Sequence, residues 1–207
     1  NINDLIASKG SSTFSAITPM GRQHENDREA TAADLKWLAD PAEEPEPFGD
    51  GGTKMAWNTF NVVSIYPNGN PVMSDVNQRW VGDCCACAVI ASMAYLYPRF
   101  VKHIIKDNMD KTYTVTMYDP KGKQISVGVG GDYFIGNSGD LGALGGRNKE
   151  VTWATILEKA MIKWNQIYQG SSNVGGIGTE YVSAIFTGDG ESVGCLLYTS
   201  RAHETVL

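Results

Sequence analysis

Histidine is scarce in this 207-residue chain, which has three, His24, His103 and His203. Long apolar runs are absent: the best stretch, residues 86–96, is broken by Ser92 and falls short of the roughly 18–20 residues that a bilayer-crossing helix needs. No membrane partner is expected from it. Positive charge is in deficit, 17 Lys and Arg against 23 Asp and Glu for a net charge of -6, so no field is available to gather a polyanion and nucleic acid is not expected as a partner. Cysteine is sparse and uneven, with Cys84, Cys85 and Cys87 together and Cys195 alone, which excludes a spaced disulfide framework. What is there is an ordinary globular mixture, 42% hydrophobic and 19% charged, with 23 glycines and no internal repeat. Coiled coil, collagen and wholesale disorder are excluded by it.

The N-terminal quarter differs in composition from the rest. Residues 22–50 are rich in Glu, Asp, Ala and Pro, and the run Pro41, Glu43, Glu44, Pro45, Glu46, Pro47 resists helix and packed strand alike. Residues 1–52 are therefore read as an acidic N-terminal segment or linker, with a short helix over 30–38 capped by Thr31. From 53 to 194 the pattern is that of a folded domain. Residues 57–66 alternate as a strand before the turn cluster Pro67, Asn68, Gly69, Asn70, Pro71. Residues 74–82 read as loop, and Asp83 is placed to cap a buried helix that Pro98 stops, with Cys84, Cys87, Val89, Met93 and Tyr97 at three- to four-residue steps. A second helix is expected over 99–108. Residues 112–118 and 124–129 pattern as a hairpin with one wet face, joined by Asp119, Pro120, Lys121 and Gly122. Residues 128–146 hold eight glycines and read as a long irregular loop. Thr152 then caps a helix to about Ile167, with Ile156, Ala160, the Lys163 stem and Trp164 inside and Glu158 and Lys159 outside; 169–179 is again loop. The class is α+β: helices, a small hairpin and loops around a cleft.

The cysteine cluster is where chemistry is expected. Cys84 falls in the first turn of the buried helix, where unpaired N–H groups and the positive end of the helix dipole favour a thiolate, so it is positioned as a nucleophile. The plainer reading makes all three clustered cysteines small buried apolar residues. Upstream, Gln78 precedes Cys84 by six residues across the loop holding Gly82, so its amide could fold back and donate a hydrogen bond beside the sulfur, as an oxyanion donor does.

The segment Gln78, Arg79, Trp80, Val81, Gly82, Asp83, Cys84 resembles the catalytic segment of the calpain family of papain-like cysteine proteases. Ala88-Val89-Ile90-Ala91-Ser92 is similar to that family's nucleophile helix, and Trp153 through Leu157-Glu158-Lys159-Ala160 to its Trp-x-x-x-Leu-Glu-Lys-Ala helix. Tyr168, Gly175-Gly176 and Phe186-Thr187-Gly188 follow in the family's order, so the likeness covers residues 74–194. The resemblance implies a papain-like α+β fold cut before its β-rich half. It implies Cys84 as nucleophile, Gln78 as oxyanion donor, and Gly175 with Gly176 as the backbone edge that pairs with a protein or peptide substrate. No cofactor is implied for the chemistry. A calcium site is implied at Asp75, nine residues before Cys84, with Glu150 as acidic partner; the family's glutamate stands two residues before the tryptophan, where this chain has Val151. The plainer reading makes Asp75 a solvated loop or cap residue. Cys85 stands where the family has tryptophan.

A thiolate protease also needs an imidazole and a group to orient it. His24 lies in the acidic segment and His103 on the polar side of its helix with Lys102 and Lys106. In papain-like enzymes the histidine comes about 130–150 residues after the cysteine, which from Cys84 lands near 214–234, past Leu207. The run from Cys195 to Thr205 resembles read-through translation of a transposon-end sequencing adapter. On that reading residues 195–207 are a non-native tail, the C-terminal half with its His and Asn is missing, and the 207-residue chain is expected to be inactive or nearly so. Two other classes compete. Cys84-x-x-Cys87 at a helix start is the dithiol oxidoreductase arrangement, though no strand directly precedes it, and a zinc site lacks a second pair of ligands. A non-catalytic interaction module that keeps a protease fold is the remaining alternative.

Overall fold

The side chain of Thr31 accepts from the backbone N–H of Asp34 at 3.2 Å, and the Asp34 carboxylate accepts from the Thr31 N–H at 2.8 Å. This reciprocal pair opens α1 (Ala32–Ala39) at the expected cap. The computed structural model describes residues 27–188 except 51, 52, 55 and 137; His24, Cys195, His203 and the tail from 195 lie outside the described residues. After α1 come β1 (Gly49–Asp50), β2 (Thr53–Lys54) and β3 (Ala56–Thr59), then a 3-10 turn at Met73–Asp75. Next are α2 (Cys84–Leu96), α3 (Pro98–Ile104), β4 (Ile105–Asp107), β5 (Tyr113–Tyr118), β6 (Gln124–Val129) and β7 (Asp132–Ile135). The chain ends its described part with α4 (Trp153–Gln169) and α5 (Thr179–Thr187). The class is α+β, as the sequence indicates.

Strands β4, β5 and β6 form an antiparallel sheet, with Tyr113 opposite Val129 and Tyr118 opposite Gln124. Alternation decides its faces: Val115, Met117 and Val127 are fully buried while Gln124 and Ser126 are exposed. Helix α4 packs on β5 and β6, α1 lies beside β6, and α5 sits between α2 and β5. The core collects around Trp153, Trp164, Phe134 and Ile162. No single described helix is long and apolar enough to cross a membrane; α2 and α3 meet at 112° across Tyr97, with Pro98 at the first position of α3, where its missing N–H costs nothing.

Tertiary pairing overrides the sequence reading in five places. The strand expected over 57–66 stops at Thr59, because only Ala56–Thr59 finds a partner, β7. The helix expected to 108 ends at Ile104, and Ile105–Asp107 pairs with β5 instead. The glycine-rich loop over 128–146 contains β7. Residues 179–187, left without structure by the sequence reading, form α5. Helix α4 has no wet side over most of its length: Glu158 and Lys159 are as buried as Trp164.

The segment read as a linker covers Lys159 and Lys163. Residues 27–48 strap across α4 and the sheet. Lys163 Nζ donates to the carbonyls of Asp40 and Gly128, both at 2.8 Å, and Lys159 Nζ pairs with Glu44 at 2.6 Å and donates to the Asp132 carbonyl at 2.5 Å. Trp57 Nε1 donates to the Pro45 carbonyl at 2.7 Å. The strap can lie this close because Gly128 and Gly130 face it; a Cβ at either would strike the backbone of residues 39–41.

Candidate active site

Cys84 is the exposed residue of the cysteine cluster, at the first position of α2, with Cys85 and Cys87 half-buried. The helix behind it is apolar and buried through Ala86, Val89, Ile90 and Met93, which fixes its N-terminus as a rigid end from which one thiol emerges. The other thiols are poorer nucleophiles. Burial and the neighbouring Cys84 raise the Cys85 thiol above its ordinary range. Burial, the Asp83 and Glu158 carboxyls, and a hydrogen bond donated to Asp83 at 3.5 Å push the Cys87 thiol well up. A thiol so held is ill suited to the exchange chemistry of a Cys-x-x-Cys pair.

The loop leading into Cys84 is fastened on two sides. Asn77 pairs with Gly145 through backbone bonds of 3.0 and 3.3 Å, Trp80 N–H donates to the Gly142 carbonyl at 3.1 Å, and Arg79 reaches the Gly146 carbonyl at 2.5 Å. On the other side, Gly176 N–H donates to the Gly82 carbonyl at 3.2 Å. Gly176 has φ +77°, which only glycine takes without strain, so its residue type and its pairing to the nucleophile loop belong together. Three of the predicted residues, Cys84, Gly175 and Gly176, are thus gathered at one edge. The loop holding Gly175 and Gly176 also borders an open hollow of about 320 Å³ with Asn173, Gln169 and Tyr181. A larger hollow of about 390 Å³, between Arg28, Leu35, Lys121 and Tyr168, is bordered by no cysteine.

Gln78 lies on the same fastened loop, but its amide is turned inward. Nε2 donates to the Val81 carbonyl at 2.9 Å, and the side chain also bonds the Asp83 carboxylate. The amide is thus engaged within the loop, and stabilising an oxyanion at Cys84 requires it to leave Val81.

Asp83 departs from its expected role. Its side chain makes no capping bond to α2; it is 1% exposed and turned under the helix towards α4. There it meets Glu158, also 1% exposed, whose Oε2 accepts from the Leu144 N–H at 2.9 Å. The sequence reading had Glu158 facing water. The signal against that lies around it on the helix, where Ala154, Leu157, Met161 and Ile162 are all apolar.

The residues marked for calcium are otherwise employed. Asp75 is buried and accepts from Asn68 Nδ2 at 2.9 Å, Val72 N–H at 3.2 Å and Trp153 Nε1 at 2.7 Å, and its carbonyl accepts from the Thr152 hydroxyl at 3.1 Å. It caps the 3-10 turn through the Val72 N–H and pins that turn to the start of α4, buried rather than solvated, and a cation would have to displace three N–H donors from it. Glu150 is half-buried against Gly146, its carbonyl accepting from that N–H at 3.0 Å. Among the described residues no three His, Cys, Asp or Glu side chains converge as a metal group, for calcium or for zinc. His103 is the one histidine among the described residues, exposed near the end of α3 as expected. The length of α2 alone, about 18 Å at 1.5 Å per residue, separates Cys84 from the start of that helix. No protein-family model matches the chain, and no curated protein matches it.

Proposed function

We propose that this chain is the nucleophile-bearing half of a calpain-like cysteine endopeptidase with a papain-like fold. The observation that carries the reading is the exposed Cys84 thiol at the tip of a buried helix, with the Gly175–Gly176 loop hydrogen-bonded to the loop that delivers it. In the proposed reaction a peptide lies along Gly175 and Gly176, whose bare backbone allows close main-chain pairing. The Cys84 thiolate attacks the scissile carbonyl, and the resulting oxyanion is held by the Cys84 backbone N–H and by the Gln78 amide once it leaves Val81. An imidazolium protonates the departing amine, and water then hydrolyses the Cys84 thioester, returning the thiol and releasing the acid. Turnover also needs an imidazole and a group to orient it, and the one described histidine, His103, lies on α3 away from Cys84, so the described residues by themselves are expected to capture substrate-like electrophiles at Cys84 without sustained turnover.

A peptidyl vinyl sulfone tests this. Mass mapping is expected to find it on Cys84, with a rate that saturates in inhibitor concentration and vanishes in Cys84→Ala. Unsaturable labelling spread over Cys84, Cys85 and Cys87, or a reversible Cys84–Cys87 disulfide with a defined midpoint potential, overturns the protease reading in favour of dithiol chemistry.

A further inference from the structure

Two buried acids stand directly behind the nucleophile loop and have no role in the reaction as written. Asp83 precedes Cys84 in the chain, and Glu158 comes from α4. The remaining partners of each are accounted for: Asp83 Oδ1 accepts from Cys87 Sγ and the side chain takes a bond from Gln78, while Glu158 Oε2 accepts from Leu144 N–H. The two oxygens left over, Asp83 Oδ2 and Glu158 Oε1, are buried and find no N–H or O–H donor among the described residues. The two carboxyls, each 1% exposed, lie within reach of each other. Two ionised carboxylates offer only acceptors, so a proton held between the two unpartnered oxygens is what would satisfy them.

We propose that Asp83 and Glu158 hold one shared proton and act as positioning residues for Cys84, with neutral Glu158 donating to Asp83 and thereby tying the nucleophile loop to α4. The catalytic part of this statement rests on the protease reading, whereas the shared proton does not. The direction of titration agrees. Burial, then the Asp83 charge, raises Glu158 well above its ordinary range, and burial pushes Asp83 up to about 6. A pair that shares one proton carries a single negative charge. The titratable groups facing it are Cys87 and Cys85 of α2, and Glu180 of α5 also faces Cys85. Among the described residues no ammonium neutralises the pair, since Lys159 and Lys163 are turned to the strap. One chain of bonds therefore runs from Leu144 N–H through Glu158 and Asp83 to the Gln78 amide, so the oxyanion candidate and the nucleophile are set by the same proton.

Infrared spectroscopy of the 207-residue chain at pH 8 is expected to show a protonated-carboxyl stretch that persists in Glu44→Gln, the other acid raised by burial, and disappears in Glu158→Gln. Absence of the band in the wild-type chain at pH 8, or its loss in Glu44→Gln alone, overturns the proposal whether or not the Glu158 variant folds. Iodoacetamide mapping gives the functional arm. Glu158→Gln, which keeps a donor for Asp83 and an acceptor for Leu144, should alkylate Cys84 within about twofold of wild type at pH 7, whereas Glu158→Ala should be slowed about threefold or more. Equal slowing in both variants, or none in either, overturns the positioning role. Failure of the vinyl sulfone to label Cys84 alongside a persistent carboxyl band would sink the protease and leave the proton where it is.

Discussion

Helix α4 buries charge on two flanks and neutralises it in two different ways. Towards the strap, Lys159 and Lys163 are given acceptors: one carboxylate, three backbone carbonyls, and the faces of Trp57, Tyr133 and Trp37. Towards the nucleophile loop, Glu158 meets another acid, and a retained proton serves where the strap supplies a counter-charge. Both arrangements hold a proton, on an ammonium in the first and between two carboxyls in the second. Burial works against the charged form in each, which lowers the lysine and raises the acid, so the two flanks contribute stability slopes of opposite sign with pH.

Breaking the cationic flank should have the largest effect. Lys163→Ala orphans the buried carbonyls of Asp40 and Gly128 and leaves a cavity, and about 3 kcal/mol of stability should be lost in urea unfolding. Lys163→Met should recover the packing but not the hydrogen bonds.

The opposite pH relation gives the next test. Asp83 titrates at about 6 folded against an ordinary 3.8, so across that interval the folded chain binds more protons and stability falls as pH rises. Burial, then the charge of Lys159, brings Lys163 down to about 8 from 10.5, so there the unfolded chain binds more protons and stability rises with pH. Each slope is at most about 1.4 kcal/mol per pH unit, and Asp83→Asn should flatten the acid window and Lys163→Met the alkaline one. Within the acid flank, timed iodoacetamide labelling at pH 8 should modify Cys84 first and Cys87 last, the latter about tenfold slower or more because its thiol is held by Asp83. Smallest of all, Gly176→Ala should cost about 1 kcal/mol by forcing a side chain into left-handed backbone, and should loosen the bond to Gly82 without touching the strap.

How far the sequence could be read follows the range of the interactions. The α2 helix, the β5–β6 hairpin and the Thr31 cap were legible because each is fixed by residues within a few positions of one another. The β3–β7 pairing joins residues more than seventy apart, and nothing local marks Asp132–Ile135 as a strand among so many glycines. Glu158 and Lys159 looked like the solvated side of an amphipathic helix because the strap that covers Lys159, and the Asp83 that covers Glu158, lie far away in sequence. The same distance hid Asp75, which reads as a loop carboxylate until Trp153 is laid against it.

By itself, the order of residues determined a thiol at the head of an apolar helix, a hairpin, and the α+β class, since backbone periodicity and turn chemistry act over three or four positions. Only the tertiary structure decided which charges are buried, which way the Gln78 amide points, and that Asp83 and Glu158 confront each other. Burial removes water as the default partner, and from then on the protonation and direction of each polar group are set by whatever distant segment is packed against it.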